Sequence, residues 1–138
     1  MEKRAVIGIS TGLITDDGGM FPGYRRIYVN EDYINAILAA GGVPVIAHPM
    51  STMRGPALSL DYLGKLVDAG LAGVEVYHRE NSAEDRARLL KFIEERRAAG
   101  TDLLVTGSSD YHGAGKPNLL GENTTDAATV ARIREQIA

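Results

Sequence analysis

The chain has 138 residues, a formal net charge of -3 at neutral pH and no cysteine. This length fits one domain with a single hydrophobic core. Acidic and basic residues are interspersed, so no basic face is available for a nucleic acid or a membrane surface, and we expect neither partner. The lack of cysteine excludes disulfides, thiolate metal ligands and a thiol nucleophile.

The first ten residues lack the apolar core and small-residue cleavage site of a secretion signal. No apolar run in the sequence reaches the length that spans a bilayer. We therefore expect a soluble, cytoplasmic protein.

Strand-plus-helix units are predicted to follow one another through a single α/β domain, residues 1–138. Short apolar runs typical of parallel strands buried on both faces occur at 5–9, 43–47, 74–77 and 103–105. Residues 13–28 contain turn-forming residues and little periodicity, so they are predicted to be a long loop.

Helices are predicted where apolar residues recur at intervals of three and four. The first three end at glycines about thirty residues apart, which is the length of one strand-plus-helix unit. The predicted start and apolar face are Asn30 with Tyr33, Ile34, Ile37 and Leu38 for the first helix; Leu60, Leu63, Leu66 and Val67 for the second; Asn81 or Ser82 with Ala83, Ala87, Leu90 and Ile93 for the third; and Thr125 or Asp126 with Ala127, Val130, Ile133 and Ile137 for the fourth.

Residues able to bind a metal ion follow three of the predicted strands. His48 and His78 each come directly after a strand, and Asp110 and His112 follow the fourth. Parallel strands place these residues at one end of the sheet, where α/β folds carry their chemistry. A carboxylate combined with imidazoles suits zinc, manganese or iron better than calcium.

Residues from about 41 to 138 resemble the C-terminal part of the PHP family (polymerase and histidinol phosphatase). The matching motifs are Ala-Ala-Gly-Gly-Val-Pro-Val-Ile-Ala-His-Pro at 39–49, Ala-Gly-Leu-Ala-Gly-Val-Glu-Val-Tyr-His at 69–78 and Gly-Ser-Ser-Asp-Tyr-His-Gly at 107–113. The resemblance implies a metal-dependent phosphoesterase on a distorted TIM barrel. It also implies that His48, Asp110 and His112 are metal ligands, whereas it assigns no firm role to His78.

Residues 1–47 resemble a second family, the class I glutamine amidotransferase-like hydrolases of γ-glutamyl bonds, which have a flavodoxin-like fold. The motifs are Ala-Val-Ile-Gly-Ile-Ser at 5–10, Gly-Gly-Met-Phe-Pro-Gly-Tyr at 18–24 and Tyr-Val-Asn-Glu-Asp-Tyr-Ile at 28–34. That family needs a catalytic cysteine, which this chain lacks. We interpret the chain as an engineered chimera joined near 41–47; a natural PHP-type protein is the alternative.

Two strand orders are compatible with this sequence. A PHP-like half of a TIM barrel places the four strands in chain order, whereas a flavodoxin-like doubly wound sheet has the order 2-1-3-4. If all four helices of the half-barrel lie on one side, the other face is open to water, with Ile7, Ile9 and Ile46 as candidates. Such a patch favours a homodimer.

Three functions fit the pattern. The first and preferred one is a scaffold without evolved catalytic activity that carries a partial metal site and holds one zinc or manganese ion weakly. The second is a metal-dependent phosphoesterase. The third is a small-molecule or anion-binding module that uses Ser108, Ser109 and the loop 113–116.

Overall fold

The computed structural model describes residues 6–10, 13–15, 25–27, 31–53, 56–115 and 117–137. Its strands are β1 (Val6–Ser10), β2 (Leu13–Thr15), β3 (Arg25–Ile27), β4 (Val43–Ala47), β5 (Gly73–Tyr77) and β6 (Leu104–Gly107). Its helices are α1 (Glu31–Ala39), α2 (Leu60–Asp68), α3 (Ala83–Ala98) and α4 (Ala127–Gln136). No helix in these ranges has the length and apolar character needed to cross a membrane.

A four-stranded parallel sheet has the order β1-β4-β5-β6, so the main strands are neighbours in chain order. This order confirms the prediction of an α/β domain of βα units with a four-stranded parallel sheet in chain order, and it differs from the 2-1-3-4 order of the flavodoxin-like alternative. The pairing of β5 with β6 shifts register between Glu75 and Tyr77. Such a shift bends a strand locally and changes the direction of its next side chains.

Residues 13–28 do not form the predicted uninterrupted loop. Strands β2 and β3 pair antiparallel, with Leu13 opposite Ile27 and Thr15 opposite Arg25. Short segments that contain β-branched residues favour this extended pairing. Both strands are only three residues long and lie beside the turn-forming residues at 16–24, so the sequence pattern did not indicate them.

The main core lies between the sheet and helices α1 to α3. Ile46, Val74 and Val76 project from the sheet into it, and all three are fully buried. The helices contribute their apolar faces to the same cluster, namely Ile34 and Ile37 from α1, Leu63, Leu66 and Val67 from α2, and Leu89, Phe92 and Ile93 from α3. The predicted apolar face of α2 is confirmed.

Helix α1 buries a narrower face than predicted, and helix α3 is rotated relative to its predicted face. In α1, Tyr33 and Leu38 are exposed, whereas Ile34 and Ile37 are buried. In α3, the buried residues include Leu89 and Phe92 in place of the predicted Leu90, which is exposed. The two adjacent leucines leave the helix rotation ambiguous in the sequence, and packing against the sheet selects Leu89. The predicted cap Asn30 lies outside the described residues.

Helix α4 lies on the opposite face of the sheet from the main core. Its Ile133 and Ile137 pack against Val43, Val45 and Leu104, which are buried and alternate with the residues that face the main core. The condition for an open face, that all four helices lie on one side of the sheet, is therefore not met. The long segment between β6 and α4 lets the chain pass the sheet edge and cover this apolar patch.

Ile46 also differs from its predicted position, because it is fully buried in the main core and not on an open face. The side chains of Ile7 and Ile9 lie outside the described part of the chain. With α4 over Val43, Val45 and Leu104, this patch no longer requires a partner. Homodimer formation stays a proposal, which light scattering after size-exclusion chromatography would test.

Serine and aspartate side chains fix the starts of three helices. Ser59 accepts from the Tyr62 backbone amide at the start of α2, and Ser82 forms a reciprocal capping box with Asp85 at the start of α3. Asp126 caps α4 by accepting from the Thr129 amide at 2.8 Å. Each cap satisfies an amide that has no partner within its own helix.

Asp126 should make stability depend on pH in the acid range. The backbone hydrogen bond from Thr129 holds the pKa of Asp126 below its ordinary value of 3.8, and the Thr129 hydroxyl acts in the same direction. A lowered pKa in the folded state means that the ionised cap stabilises the protein above about pH 4, and that this contribution is lost as the pH falls through the folded-state pKa.

We therefore expect the difference in unfolding free energy between the parent and Asp126→Ala to be largest near neutral pH and to shrink in acid. Denaturant unfolding at a series of pH values measures it. Asp126→Asn is the control, because it retains a capping oxygen that does not titrate. A parent-to-alanine difference that stays constant through the acid range would contradict the expectation.

Candidate metal and phosphate site

The candidate residues lie at the carboxyl ends of three adjacent parallel strands. His48 follows β4, His78 follows β5, and Asp110 and His112 lie in the segment after β6. Since β4, β5 and β6 pair in this order, the three segments meet at one rim of the sheet. The strand order thus produces the predicted neighbourhood.

His48 is held by a buried carboxylate that the sequence analysis did not identify. Its backbone has a φ of 34°, in the left-handed region that residues other than glycine rarely adopt. The His48 amide donates to Oε2 of Glu75 at 2.6 Å, and Glu75 is only 5% exposed. This short hydrogen bond offsets part of the backbone strain.

His78 is fully buried and lies between His48 and Asp110. The His78 and His48 rings have centroids 5.3 Å apart with planes tilted by 49°. Nδ1 of His78 accepts from the Glu80 amide at 3.2 Å, and Nε2 lies 3.9 Å from Oδ2 of Asp110. The histidine therefore connects the ends of all three strands.

Asp110 lies beyond the end of β6, the edge strand, and contacts His112. Its Oδ1 lies 2.8 Å from Nε2 of His112, whose side chain is 61% exposed. The Asp110 backbone is also left-handed, with a φ of 47°. The buried Asn118 holds this segment by donating from Nδ2 to the carbonyl oxygens of Ser109 at 2.7 Å and Asp110 at 3.3 Å.

The segment after β5 is held from both sides. Nη2 of Arg86, on α3, donates to the carbonyl oxygen of His78 at 2.8 Å, and its Nε donates to that of Asn81 at 3.1 Å. On the other side, the Ser51 hydroxyl donates to the Glu80 carboxylate. These contacts fix the backbone of His78 before any ligand arrives, and preorganisation of this kind reduces the cost of binding.

The predicted ligands His48, Asp110 and His112 stay a prediction. Among the described residues, no three histidine, aspartate or glutamate side chains are arranged as a ready metal-binding group. The donors nevertheless fit a divalent ion chemically, because one carboxylate and two imidazoles at a common rim form a set typical of zinc and manganese sites.

The anion-binding alternative loses one of its expected donors, the Ser108 amide. The Ser108 amide donates to the carbonyl oxygen of Tyr77 at 3.1 Å, and the Asp110 amide donates to the Ser108 hydroxyl at 3.3 Å. Gly113–Gly115 form a single 3-10 turn, and Lys116 lies outside the described residues. Amides already used within the protein are not free to bind a phosphate, so this loop does not favour the alternative.

Glu75 and Asn118 are the site residues that sequence reasoning missed. Glu75 had a usable signal, because a lone charge within the apolar strand Gly-Val-Glu-Val-Tyr is costly unless it has a partner. Asn118 had none, since an asparagine after a proline is ordinary in a loop.

A parallel α/β half-barrel with carboxylate and imidazole side chains at its strand ends is typical of metal-dependent hydrolases. No family model matches the chain. The chain is 37% identical over 83 residues to a phosphoribosyl 1,2-cyclic phosphate 1,2-diphosphodiesterase from Eggerthella lenta, a match that covers 60% of this chain and 28% of that protein.

A crystal structure of a candidate metal-dependent phosphoesterase from Bifidobacterium adolescentis is also similar. Its TM-score is 0.70 at 47% identity, over 78% of this chain and 36% of that one. The chain thus spans about a third of the length of these relatives. They confirm the resemblance to PHP-type phosphoesterases and the expectation of a divalent metal cofactor.

These relatives overturn the interpretation of the chain as an engineered chimera without catalytic activity. Both are bacterial phosphoesterases, and the structural match covers more of the chain than residues 41–138 alone make up. Neither supports a glutamine amidotransferase-like part. The resemblance over residues 1–47 rested on a buried strand, a turn-rich segment and a helix start, which recur in unrelated α/β folds because every βα unit needs them.

Proposed function

We propose that this chain carries part of the active site of a metal-dependent phosphoesterase. The observation that supports the proposal best is the position of the Asp110 carboxylate, 2.8 Å from Nε2 of His112 and 3.9 Å from Nε2 of His78 at the strand ends. The similarity to a phosphodiesterase and to a candidate metal-dependent phosphoesterase supports this reaction class.

His48, Asp110 and His112 are the residues that would hold the metal ion. A divalent ion bound here would supply Lewis-acid stabilisation of a phosphate ester and lower the pKa of a water molecule. The protein itself positions the residues that would bind the metal ion. Glu75 fixes the backbone of His48, and Asn118 fixes the segment that carries Asp110.

The substrate class we propose is a phosphate ester. The name of the Eggerthella lenta relative makes a cyclic ribose phosphate the first natural compound to test. The exposed position of His112, next to the more buried Asp110, leaves that side of the rim accessible to a small molecule.

Phosphate ester hydrolysis by the purified chain tests this proposal. After treatment with a chelator, zinc or manganese should restore hydrolysis of p-nitrophenyl phosphate or its bis ester. Asp110→Ala and the His48→Ala/His112→Ala pair should lower the rate at least about tenfold, the size of effect typical when a metal site is disturbed.

Lys91→Ala is the matched control, since Lys91 is 79% exposed on α3, where it pairs with Glu95. It should leave the rate unchanged. Hydrolysis that persists without metal, or that Asp110→Ala does not affect, would rule out the proposed site.

A further inference from the structure

His78 has a chemical constraint that distinguishes it from the other two histidines. The Glu80 amide donates to its Nδ1 at 3.2 Å, so this nitrogen uses its lone pair and carries no hydrogen. A neutral imidazole has one donor and one acceptor nitrogen. The proton of neutral His78 therefore lies on Nε2.

Nε2 points toward Asp110 and not toward solvent. It is buried, it makes no hydrogen bond within the described part of the chain, and Oδ2 of Asp110 lies 3.9 Å away. A metal ion would need the lone pair of Nε2, which a proton occupies in this arrangement. His78 thus presents a donor, whereas a metal ligand must present an acceptor.

The backbone around His78 holds its ring in the orientation that places Nδ1 beside the Glu80 amide. The His78 carbonyl accepts from Arg86 at 2.8 Å and from the Asn81 amide at 3.2 Å, and the side chain is completely enclosed. Rotating the ring by 180° would put Cδ2 in the place of Nδ1, break the contact with the Glu80 amide and leave that amide without this partner. Loss of this partly buried hydrogen bond disfavours the flip.

We infer that His78 is not a metal ligand but a positioning residue, whose protonated Nε2, 3.9 Å from Oδ2 of Asp110, attracts the Asp110 carboxylate without a direct hydrogen bond. Outer partners that hold a metal-binding carboxylate typically change metal affinity 10–100-fold when removed, roughly the size expected here. The effect on metal affinity rests on the proposed function, whereas the position of the proton does not.

Nitrogen-15 NMR of the parent chain shows directly which ring nitrogen of His78 carries the proton. We expect Nε2 of His78 to have the shift of a protonated nitrogen and Nδ1 that of an unprotonated acceptor, both before and after zinc is added. A proton on Nδ1, or a zinc-induced change that removes the proton from Nε2, would overturn the inference.

Substitution of His78 by glutamine or asparagine tests which ring nitrogen, Nε2 or Nδ1, matters for metal binding. His78→Gln places an amide donor near the position of Nε2, and His78→Asn places its amide near Nδ1. By calorimetry with zinc, His78→Gln should bind close to the parent, and His78→Asn should bind about tenfold or more weakly. Thermal unfolding of both variants shows whether fold stability explains the difference.

Equal loss of affinity in both variants, with equal stability, would refute the positioning role. If the parent binds no zinc at all, the proposed function fails, but the nitrogen spectra still decide where the proton lies. The two failures are therefore distinguishable.

Discussion

Ile93→Ala is expected to lower the free energy of unfolding by about 2–5 kcal/mol, the range typical of a large aliphatic side chain removed from a packed core. Ile93 is only 2% exposed and belongs to the cluster that joins α3 to the sheet. The substitution removes favourable burial and leaves a cavity that rigid neighbours fill only in part. Urea unfolding monitored by circular dichroism measures the change.

His112→Ala provides the contrast, because it removes a rim side chain that is 61% exposed. We expect a change within about 0.5 kcal/mol, as for most exposed positions. Midpoints that fall further for His112→Ala than for Ile93→Ala would show that stability depends on the rim. The assignment of core and site would then be wrong.

The sequence predicted the βα units because the information is local and repeated, but it left the strand order open between chain order and 2-1-3-4. Each unit has its own apolar strand, its own glycine after the helix and a length close to thirty residues, so right-handed crossovers make the strands parallel, and the structure then gives their order. The same reasoning placed His48, His78, Asp110 and His112 at one end of the sheet. Glycines follow the first three helices, as predicted, and Gly41, Gly70 and Gly100 all have positive φ.

The remaining features depend on contacts between distant residues. The hydrogen bond from His48 to Glu75 joins positions 27 residues apart. The lone acidic residue in an apolar strand indicates that Glu75 has a partner, but nothing near it in the sequence indicates which residue that is. The side of the sheet that α4 covers is a similar case. Its apolar residues fit either face, and the packing of Ile133 and Ile137 on Val43, Val45 and Leu104 decides between them.

Gly107→Ala is expected to destabilise the protein by about 1–3 kcal/mol, the usual cost of forcing extra volume into a packed site. A Cβ at Gly107 would lie 2.8 Å from the Tyr77 Cβ and 3.0 Å from the Thr124 carbonyl oxygen, and it would also collide with the Asn123 carbonyl oxygen. Backbone atoms cannot move aside as the end of a flexible side chain can. Strand β6 and residues 123–125 must therefore move apart.

This separation should also affect the candidate site. Gly107 ends β6, and the Thr125 hydroxyl accepts from its amide at 3.0 Å and donates to its carbonyl oxygen at 2.9 Å. Asp110 lies three residues beyond this anchor. We therefore expect Gly107→Ala to weaken zinc binding as well as stability, which calorimetry and denaturant unfolding would measure on the same preparation.

Gly64→Ala is the matched control, since it adds the same methyl group where there is room for it. Its Cβ would meet only Nη2 of Arg96 at 3.8 Å within the described residues, an ordinary contact. Gly64 lies inside α2, where alanine is favoured over glycine by about 0.5–1 kcal/mol. The two substitutions should therefore change stability in opposite directions, and only Gly107→Ala should weaken zinc binding. A Gly107→Ala protein as stable as Gly64→Ala would show that β6 and residues 123–125 do not pack as closely as the structure has them.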